Sequence, residues 1–190
     1  GSSPAKENPR PREVFQVPNY PEARAVVATD PEYPYSSISA SWSREHSSIQ
    51  TVGDFFESLK ETLFFDMLNF RLEELTNLED PPFSRAYAYS GSMLKGLSST
   101  ELSAITGTGR NSEALRTLLT EAERIRRHGF LQAELDRAKV RVMRNLERSA
   151  VQSITRDSGT IVWSMFGSLI HNNANMSAQQ EMELASQMLP

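Results

Sequence analysis

The sequence of 190 residues contains no cysteine, which excludes disulfide bonds, thiolate metal sites and cysteine nucleophiles together. It has no apolar run approaching the roughly 20 residues that span a bilayer, and no charged-then-apolar signal sequence is visible in it. Histidine, a frequent catalytic base and zinc ligand, occurs only 3 times. The net charge of −4 argues against a dedicated nucleic-acid binder, which is usually basic. What is present, 38% hydrophobic and 23% charged residues, is typical of a globular protein with a buried core.

The first 21 residues stand apart from the rest because proline recurs in them. Proline fixes φ and removes an amide donor, so it disfavours both helices and central strands. Residues 1–21 are therefore predicted to form an extended arm or interdomain linker, and residues 22–190 a single domain. The prolines that support this prediction are Pro4, Pro9, Pro11, Pro18 and Pro21.

Four segments have the composition or the periodicity of β-strands. Residues 23–29 (ARAVVAT) combine alanine with β-branched residues and are predicted to form a buried strand. Residues 37–43 alternate strictly, with apolar residues on one face and serines on the other, which predicts a half-buried strand. Two further strands are predicted at residues 84–92 and 97–106, joined by a turn at Lys95-Gly96.

A long helix is predicted to begin at Thr51. Its hydroxyl can cap the first turn, and Asp54 follows three residues later, as in a capping box. The helical pattern stops at Asp80-Pro81-Pro82. The apolar positions that recur with the helical period are Val52, Phe55, Phe56, Leu59, Leu63, Phe64, Met67, Leu68 and Leu75.

This apolar stripe predicts which side chains of the helix are buried. Phe56, Phe64 and Met67 share the stripe and are predicted to lie in the core against the sheet. Phe65 and Phe70 lie outside it, and they are predicted to form an exposed patch that contacts a neighbouring domain.

Helices fill the carboxyl-terminal half of the chain. The first is predicted to start with Asn111 or Ser112 as its cap and to end at Gly129, after a cationic last turn. The overall prediction is an α+β fold, in which an antiparallel sheet packs against one long helix and a helical hairpin. The remaining predicted helices are residues 132–155, a helix from Asp157 onward, and residues 178–189.

Glu45-His46 raises the question of a zinc site, because these are the last two letters of the inverted zinc-protease signature H-x-x-E-H. Trp42 occupies the position of the first histidine and cannot bind a metal. A catalytic zinc needs about three protein ligands, and two histidines four residues apart reach one metal only from a shared helix face. Since residues 37–43 alternate as a strand does, Glu45-His46 is interpreted as the polar end of that strand.

The other polar candidates also have structural interpretations. His128 lies in the last turn of a predicted helix, and His171 ends an apolar helical stretch. Residues 107–110 contain Gly-x-Gly without the Gly-Lys-Ser/Thr of a phosphate loop. Glu73-Glu74 and Glu79-Asp80 are interpreted as a solvated helix end rather than an acid/base pair. The residues therefore assign no catalytic and no metal-binding side chain, and substrate-binding residues stay undefined.

The segment 110–156 contains 11 Arg or Lys against 6 acidic residues. A basic helical hairpin of this kind can meet an acidic partner. However, Arg and Glu alternate along it, and Phe130 is its only Phe, Tyr or Trp, so it lacks the series of aromatic residues that base stacking needs. An exposed face with internal salt bridges is the favoured interpretation.

Several phrases resemble the pitrilysin/insulinase family of zinc metallopeptidases, and in particular its bacterial processing-protease-like members. They follow a predicted strand that ends in ATDPE (28–32), and they occur in the family's order and spacing over nearly the whole chain. One departure is Leu131, which stands where the family usually has threonine or a similar helix cap. The phrases are LFFDMLNFRLEEL (63–75), DPPF (80–83) and EAERIRRHGFLQAELDRAK (121–139).

The resemblance implies a part of a larger enzyme. Family members are built from repeated α/β domains, with the zinc motif on the first, and this chain resembles the second, which carries no metal ligands. By resemblance, the parent protein is a zinc-dependent metalloendopeptidase whose zinc lies in its catalytic domain. The chain's expected partners are that catalytic domain and the parent's peptide substrate, with no nucleic acid and no membrane span. The resemblance also implies that the chain is inactive alone and that its parent is located in the bacterial periplasm.

An alternative function follows from the residues without the resemblance. The basic segment 110–156 would then serve a stand-alone protein-interaction module with a basic helical face, unrelated to proteolysis.

Overall fold

The computed structural model describes residues 20, 22–94, 96–153, 155 and 158–189. The chain divides into two units, Gly1–Asp30 and Pro31–Pro190. Except for Tyr20, the predicted arm lies outside the described residues. So do Lys95 of the predicted turn and Asp157, the predicted start of a helix.

The predicted strand at residues 23–29 is wrong. In the first unit, residues 22–30 form neither helix nor strand, and Val26 and Val27 are almost fully exposed. A strand needs a neighbour to pair with its amide and carbonyl groups. No described residue pairs with this segment as a strand, so its composition alone does not make it one.

The second unit contains three strands and five helices among its described residues. The strands form an antiparallel sheet in the order β1-β3-β2. The α+β fold predicted from the sequence is therefore confirmed. In chain order the elements are β1 (Ser36–Glu45), α1 (Val52–Thr76), β2 (Arg85–Leu94), β3 (Leu97–Thr106), α2 (Asn111–His128), α3 (Gln132–Ser153), α4 (Ser158–His171) and α5 (Ala178–Met188).

The sheet presents one face to the helices. Ile38 of β1 lies opposite Ala104 of β3, and Ala104 lies opposite Ala86 of β2, so one row of apolar side chains crosses the sheet. α1 and α2 cover this face and complete a core with it. The buried members of this core are Leu68, Leu72, Phe83, Ala88, Leu102, Ala104, Ala114, Leu118 and Ile125.

A second core lies on the other side of α1, where α3 and α5 pack. Its buried members are Phe55, Leu59, Leu63, Met67, Ala138, Val142 and Ala185. α1 is thus covered on two sides, which is why its apolar residues occupy more than one stripe.

The start of α1 is confirmed in detail. The Thr51 hydroxyl accepts a hydrogen bond from the Asp54 amide at 3.1 Å, and the Asp54 carboxylate accepts one from the Thr51 amide at 2.8 Å. These reciprocal bonds form the predicted capping box. The same carboxylate accepts a bond from the Gln50 amide at 3.0 Å. This bond, together with those of Thr51, holds the pKa of Asp54 below its ordinary value, because hydrogen bonds to the carboxylate favour its charged form.

The predicted burial of α1 is only partly correct. Met67 is buried, but in the core with α3 and α5 and not against the sheet, and Phe56 and Phe64 are each 38% exposed. Phe64 lies at the edge of the two cores, where its ring meets Phe130 edge-on at 5.6 Å. The apolar stripe predicted from the sequence lies between the two buried faces of α1, so it includes residues at the boundary between the two cores.

The predicted exposed patch of Phe65 and Phe70 is also wrong. Phe65 packs against the sheet-side core. The ring of Phe70 is half-buried beneath the Arg141 guanidinium, 4.8 Å from its centroid, and Asp66 pairs with that arginine at 2.6 Å. Contacts within the domain cover both rings, so neither forms the predicted docking patch.

The end of α2 is as predicted, but its start is not. Gly129 has a positive φ of 67°, and its amide donates to the Ile125 carbonyl, as expected at a helix C-terminus. At the other end the N-cap is Arg110, with no side-chain cap bond. The predicted cap Asn111 is instead the first helical residue, and its side-chain Nδ2 donates to the Ser36 hydroxyl at 3.1 Å, which ties α2 to the start of β1.

Candidate functional site

Glu45-His46 lies where the sequence placed it. Glu45 is the last residue of β1, and His46 follows it directly. The strand extends through Trp42, so this segment cannot adopt the helix that H-x-x-E-H requires. In the described part of the chain, no three His, Asp or Glu side chains are grouped so that they could hold one metal ion.

His46 and His171 form a contact that the sequence did not predict. Their ring centroids are 5.1 Å apart. His46 Nδ1 lies 2.9 Å from the Ser98 hydroxyl, and His171 Nδ1 lies 3.0 Å from the Ser92 hydroxyl. His46 Nε2 is buried and has no hydrogen-bond partner among the described residues. Burial, together with the nearby His171 and Arg44, holds the pKa of His46 below its ordinary value.

The contact fastens the carboxyl end of α4 to the segment before α1. The Ser48 hydroxyl donates to the His171 carbonyl at 2.9 Å, and the Ile49 amide donates to Asn173 Oδ1 at 2.8 Å. The Ala174 amide returns a bond to the Ile49 carbonyl at 2.7 Å. Two imidazoles fall short of the roughly three protein ligands of a catalytic zinc, so the arrangement is a structural clasp.

The remaining sequence candidates are dispersed. His128 is exposed at the end of α2, and Glu73 and Glu74 are exposed on the last turns of α1. Asp80 pairs with Arg110 at 2.8 Å, which ties the Gly107–Arg110 loop to the segment after α1. None of these residues joins the two histidines.

The basic segment 110–156 contains several ion pairs, which confirms the predicted salt-bridged face. Arg126 pairs with Glu123 at 2.6 Å, and Arg127 contacts the same carboxylate. These two arginines lower the pKa of Glu123 to about 2. Arg110 likewise pairs with Glu113 at 2.8 Å. Much of the basic charge is therefore balanced within the domain, which disfavours the alternative of a basic docking face.

The face of the sheet turned away from α1 and α2 is rich in hydroxyl groups. Tyr87 and Tyr89 of β2 are exposed there, with stacked rings whose centroids are 6.0 Å apart. The Tyr89 hydroxyl donates to Glu101 at 3.0 Å, and this bond raises the pKa of Tyr89. The β1 side chains of this face are Ser37, Ser39, Ser41 and Ser43.

This open face is the best candidate for a functional surface on the sheet. In the described residues, the helices pack on the opposite face, and serines and tyrosines line this one. Hydroxyl groups both donate and accept hydrogen bonds, and tyrosine rings offer flat apolar area. Such a surface suits an extended peptide, whose backbone carries both donors and acceptors.

The described helices include none long and apolar enough to cross a membrane. No protein-family model matches the chain. A curated relative, the zinc protease PQQL-like protein of Arabidopsis thaliana, is 23% identical over 177 residues, which cover 93% of this chain and 16% of that protein.

Several solved structures share the fold. The periplasmic protease PqqL from Escherichia coli matches with a TM-score of 0.74 and 20% identity, over 83% of this chain and 18% of that one. A predicted insulinase family protease from Yersinia pestis matches with a TM-score of 0.67 and 13% identity, over 80% of this chain and 33% of that one. The chain therefore spans a fifth or less of the Arabidopsis and Escherichia coli proteins.

Proposed function

Since the chain is a pitrilysin/insulinase-like domain, we propose that it is a non-catalytic domain of a zinc-dependent metalloendopeptidase. It helps to form a chamber that encloses the peptide substrate, and it supports the catalytic domain of the same polypeptide. Residues 22–190 are the domain, and residues 1–21 link it to the preceding part of the parent. By the likeness to a periplasmic protease, the parent is located in the bacterial periplasm.

The observation that carries this proposal is the open, hydroxyl-rich face of the sheet. A wall of a peptide chamber needs a broad surface that is rigid and hydrated and that binds no single sequence tightly. The three-stranded sheet is held from behind by α1 and α2, which gives the rigidity. Ser39, Ser41, Tyr87 and Tyr89 on its other face offer hydrogen bonds and ring surface to peptides of varied sequence.

Zinc does not fit the residues that the structure describes. The clasp supplies two imidazoles, each with its Nδ1 beside a serine hydroxyl. Among the described residues, no carboxylate joins these imidazoles to form a metal-binding group. The proposal therefore places the metal, the activated water and the peptide cleavage in the catalytic domain. This domain contributes position and enclosure and does not hydrolyse peptides alone.

Cysteine labelling of the parent polypeptide tests the chamber role. The chain has no cysteine, so Ser39→Cys introduces one thiol on the open face. We expect a long unstructured peptide, added with a chelator that prevents cleavage, to slow labelling of this position, because the peptide lies over it. Mass spectrometry of the fragment that contains residue 39 measures the rate.

Arg137→Cys, at an exposed position of α3, is the matched control and should label equally fast with and without peptide. Equal labelling rates for Ser39→Cys in the two conditions would contradict the chamber role.

A further inference from the structure

Helix α4 has its polar and apolar faces reversed. Ser164, Ser168 and His171 lie at i, i+4 and i+7 and so form one stripe. The two serines line a groove against α1 and α3, and His171 reaches His46 and Ser92. A surface helix of a globular domain normally turns its apolar stripe toward the core. In α4 the polar stripe takes this side, with Ser168 and His171 half-buried and Ser164 exposed at the edge of the groove.

The opposite stripe of α4 is apolar and faces outward. Val162, Phe166 and Leu169 have the same spacing and are 49–79% exposed. Trp163 is exposed beside them and meets Phe166 edge-on at 5.7 Å. No residue of α4 is buried among those whose burial is described. A contiguous apolar patch of this kind marks an interaction surface.

The packing beneath α4 explains why the helix is available for contact. A groove of about 390 Å³ separates it from α1 and α3. The carboxyl end is held by the His46–His171 clasp and by the hydrogen bonds of Ser48 and Ile49. The helix is thus positioned by its end and by polar contacts, and its apolar side chains contribute little to the domain's own core.

We propose that α4 is the docking helix through which this domain binds an apolar, uncharged surface of another domain in the same polypeptide. This inference rests on the proposed function, since it requires a larger parent. Residues 158–170 contain no Asp, Glu, Lys or Arg, so the matching surface needs no countercharges. The chain spans 16% of its Arabidopsis relative and 18% of PqqL, so most of such a polypeptide is available to supply the partner.

A membrane surface is a poorer match. Helices that lie in the lipid interface carry Lys and Arg on a polar face directed to the headgroups. The polar face of α4 consists of serines and a histidine, and it is directed toward α1, α3 and the sheet.

Hydrogen exchange measured by mass spectrometry tests this assignment in the 190-residue chain and in the parent polypeptide. We expect amides of residues 158–171 to exchange about tenfold more slowly in the parent, because docking suppresses local opening of the helix. Val162→Ser with Leu169→Ser should remove that protection in the parent and leave the unfolding midpoint of the 190-residue chain unchanged. Leu119→Ser with Val140→Ser, on the charged faces of α2 and α3, is the matched control and should preserve the protection.

Four results would overturn the assignment. The first is equal exchange of α4 in both proteins, and the second is protection of α4 through a concentration-dependent dimer of the 190-residue chain. The third is protection only with phosphatidylglycerol/phosphatidylethanolamine vesicles, and the fourth is unfolding of the 190-residue chain by the double substitution Val162→Ser with Leu169→Ser. The last result would show that α4 packs on its own domain. A protected α4 in a parent without a zinc motif would refute the proposed function and leave the docking helix intact. A zinc peptidase parent in which α4 exchanges freely would refute the docking helix and leave the proposed function intact.

Discussion

Replacing Leu72 with alanine is expected to destabilise the domain by about 2–5 kcal/mol, a large part of the roughly 5–15 kcal/mol that holds a domain folded. Leu72 is 0% exposed and lies in the core between α1 and the sheet. The loss combines the transfer of buried methyl groups with the cavity left in this core, which also contains Phe83, Leu102 and Leu118. Urea denaturation followed by circular dichroism measures it.

Leu119→Ala makes the same chemical change on α2, at a side chain that is 41% exposed. It should cost less than about 1 kcal/mol, because little apolar area leaves the core. If the two substitutions destabilised the chain equally, the core between α1 and the sheet would be incorrectly assigned.

Replacing Arg71 with methionine should have the second largest effect, about 3 kcal/mol. The Arg71 guanidinium of α1 binds Glu134 of α3 at 2.6 Å and Glu121 of α2 at 3.1 Å. It also donates to the Gly129 carbonyl at 3.3 Å and lies 4.8 Å from the Phe130 ring centroid. The substitution leaves Glu121, whose side chain is only 6% exposed, with the single ion pair that it makes to Arg124.

The effect of this substitution should depend on pH. Hydrogen bonds from Arg71 lower the pKa of Glu134 from an ordinary 4.5 to about 2 in the folded chain. A carboxylate whose pKa is depressed on folding stabilises the folded state above its unfolded pKa, and it loses that contribution as the pH falls through its folded pKa. The difference in unfolding free energy between the wild type and Arg71→Met should therefore be full near pH 7 and shrink between pH 4.5 and 2.

Arg126→Met is the control, because the Arg126 side chain is largely exposed and its pair with Glu123 is screened by solvent. It should change the unfolding free energy by about 1 kcal/mol or less. A difference between wild type and Arg71→Met that stays constant from pH 7 down to pH 2 would contradict the role given to Glu134.

The features that the sequence predicted correctly depend on neighbours in the chain. The capping box of Thr51 and Asp54 needs three residues' spacing, and the C-cap at Gly129 needs one residue with a positive φ. The β2–β3 hairpin likewise joins adjacent segments, and its Gly96 has a φ of 82°. Local chemistry decides such features, so the pattern of residues suffices.

The features that it missed depend on distant partners. Ser48 and His171 are 123 residues apart, and no spacing rule connects them, although their bond belongs to the clasp that fixes α4. The valines of residues 23–29 indicated what the segment could form but not which strand would pair with it. For α4, the apolar residues predicted a helix, whereas the direction of its apolar face depends on the packing around it.

The central claim is that this domain belongs to a zinc peptidase and follows its catalytic domain in one polypeptide. The most direct test is to sequence the coding region upstream of Gly1 in the natural gene. The account predicts an H-x-x-E-H motif on a predicted helix roughly 150–200 residues earlier, about one domain's length. An initiation codon immediately before the proline-rich arm, with no such motif upstream, would contradict it.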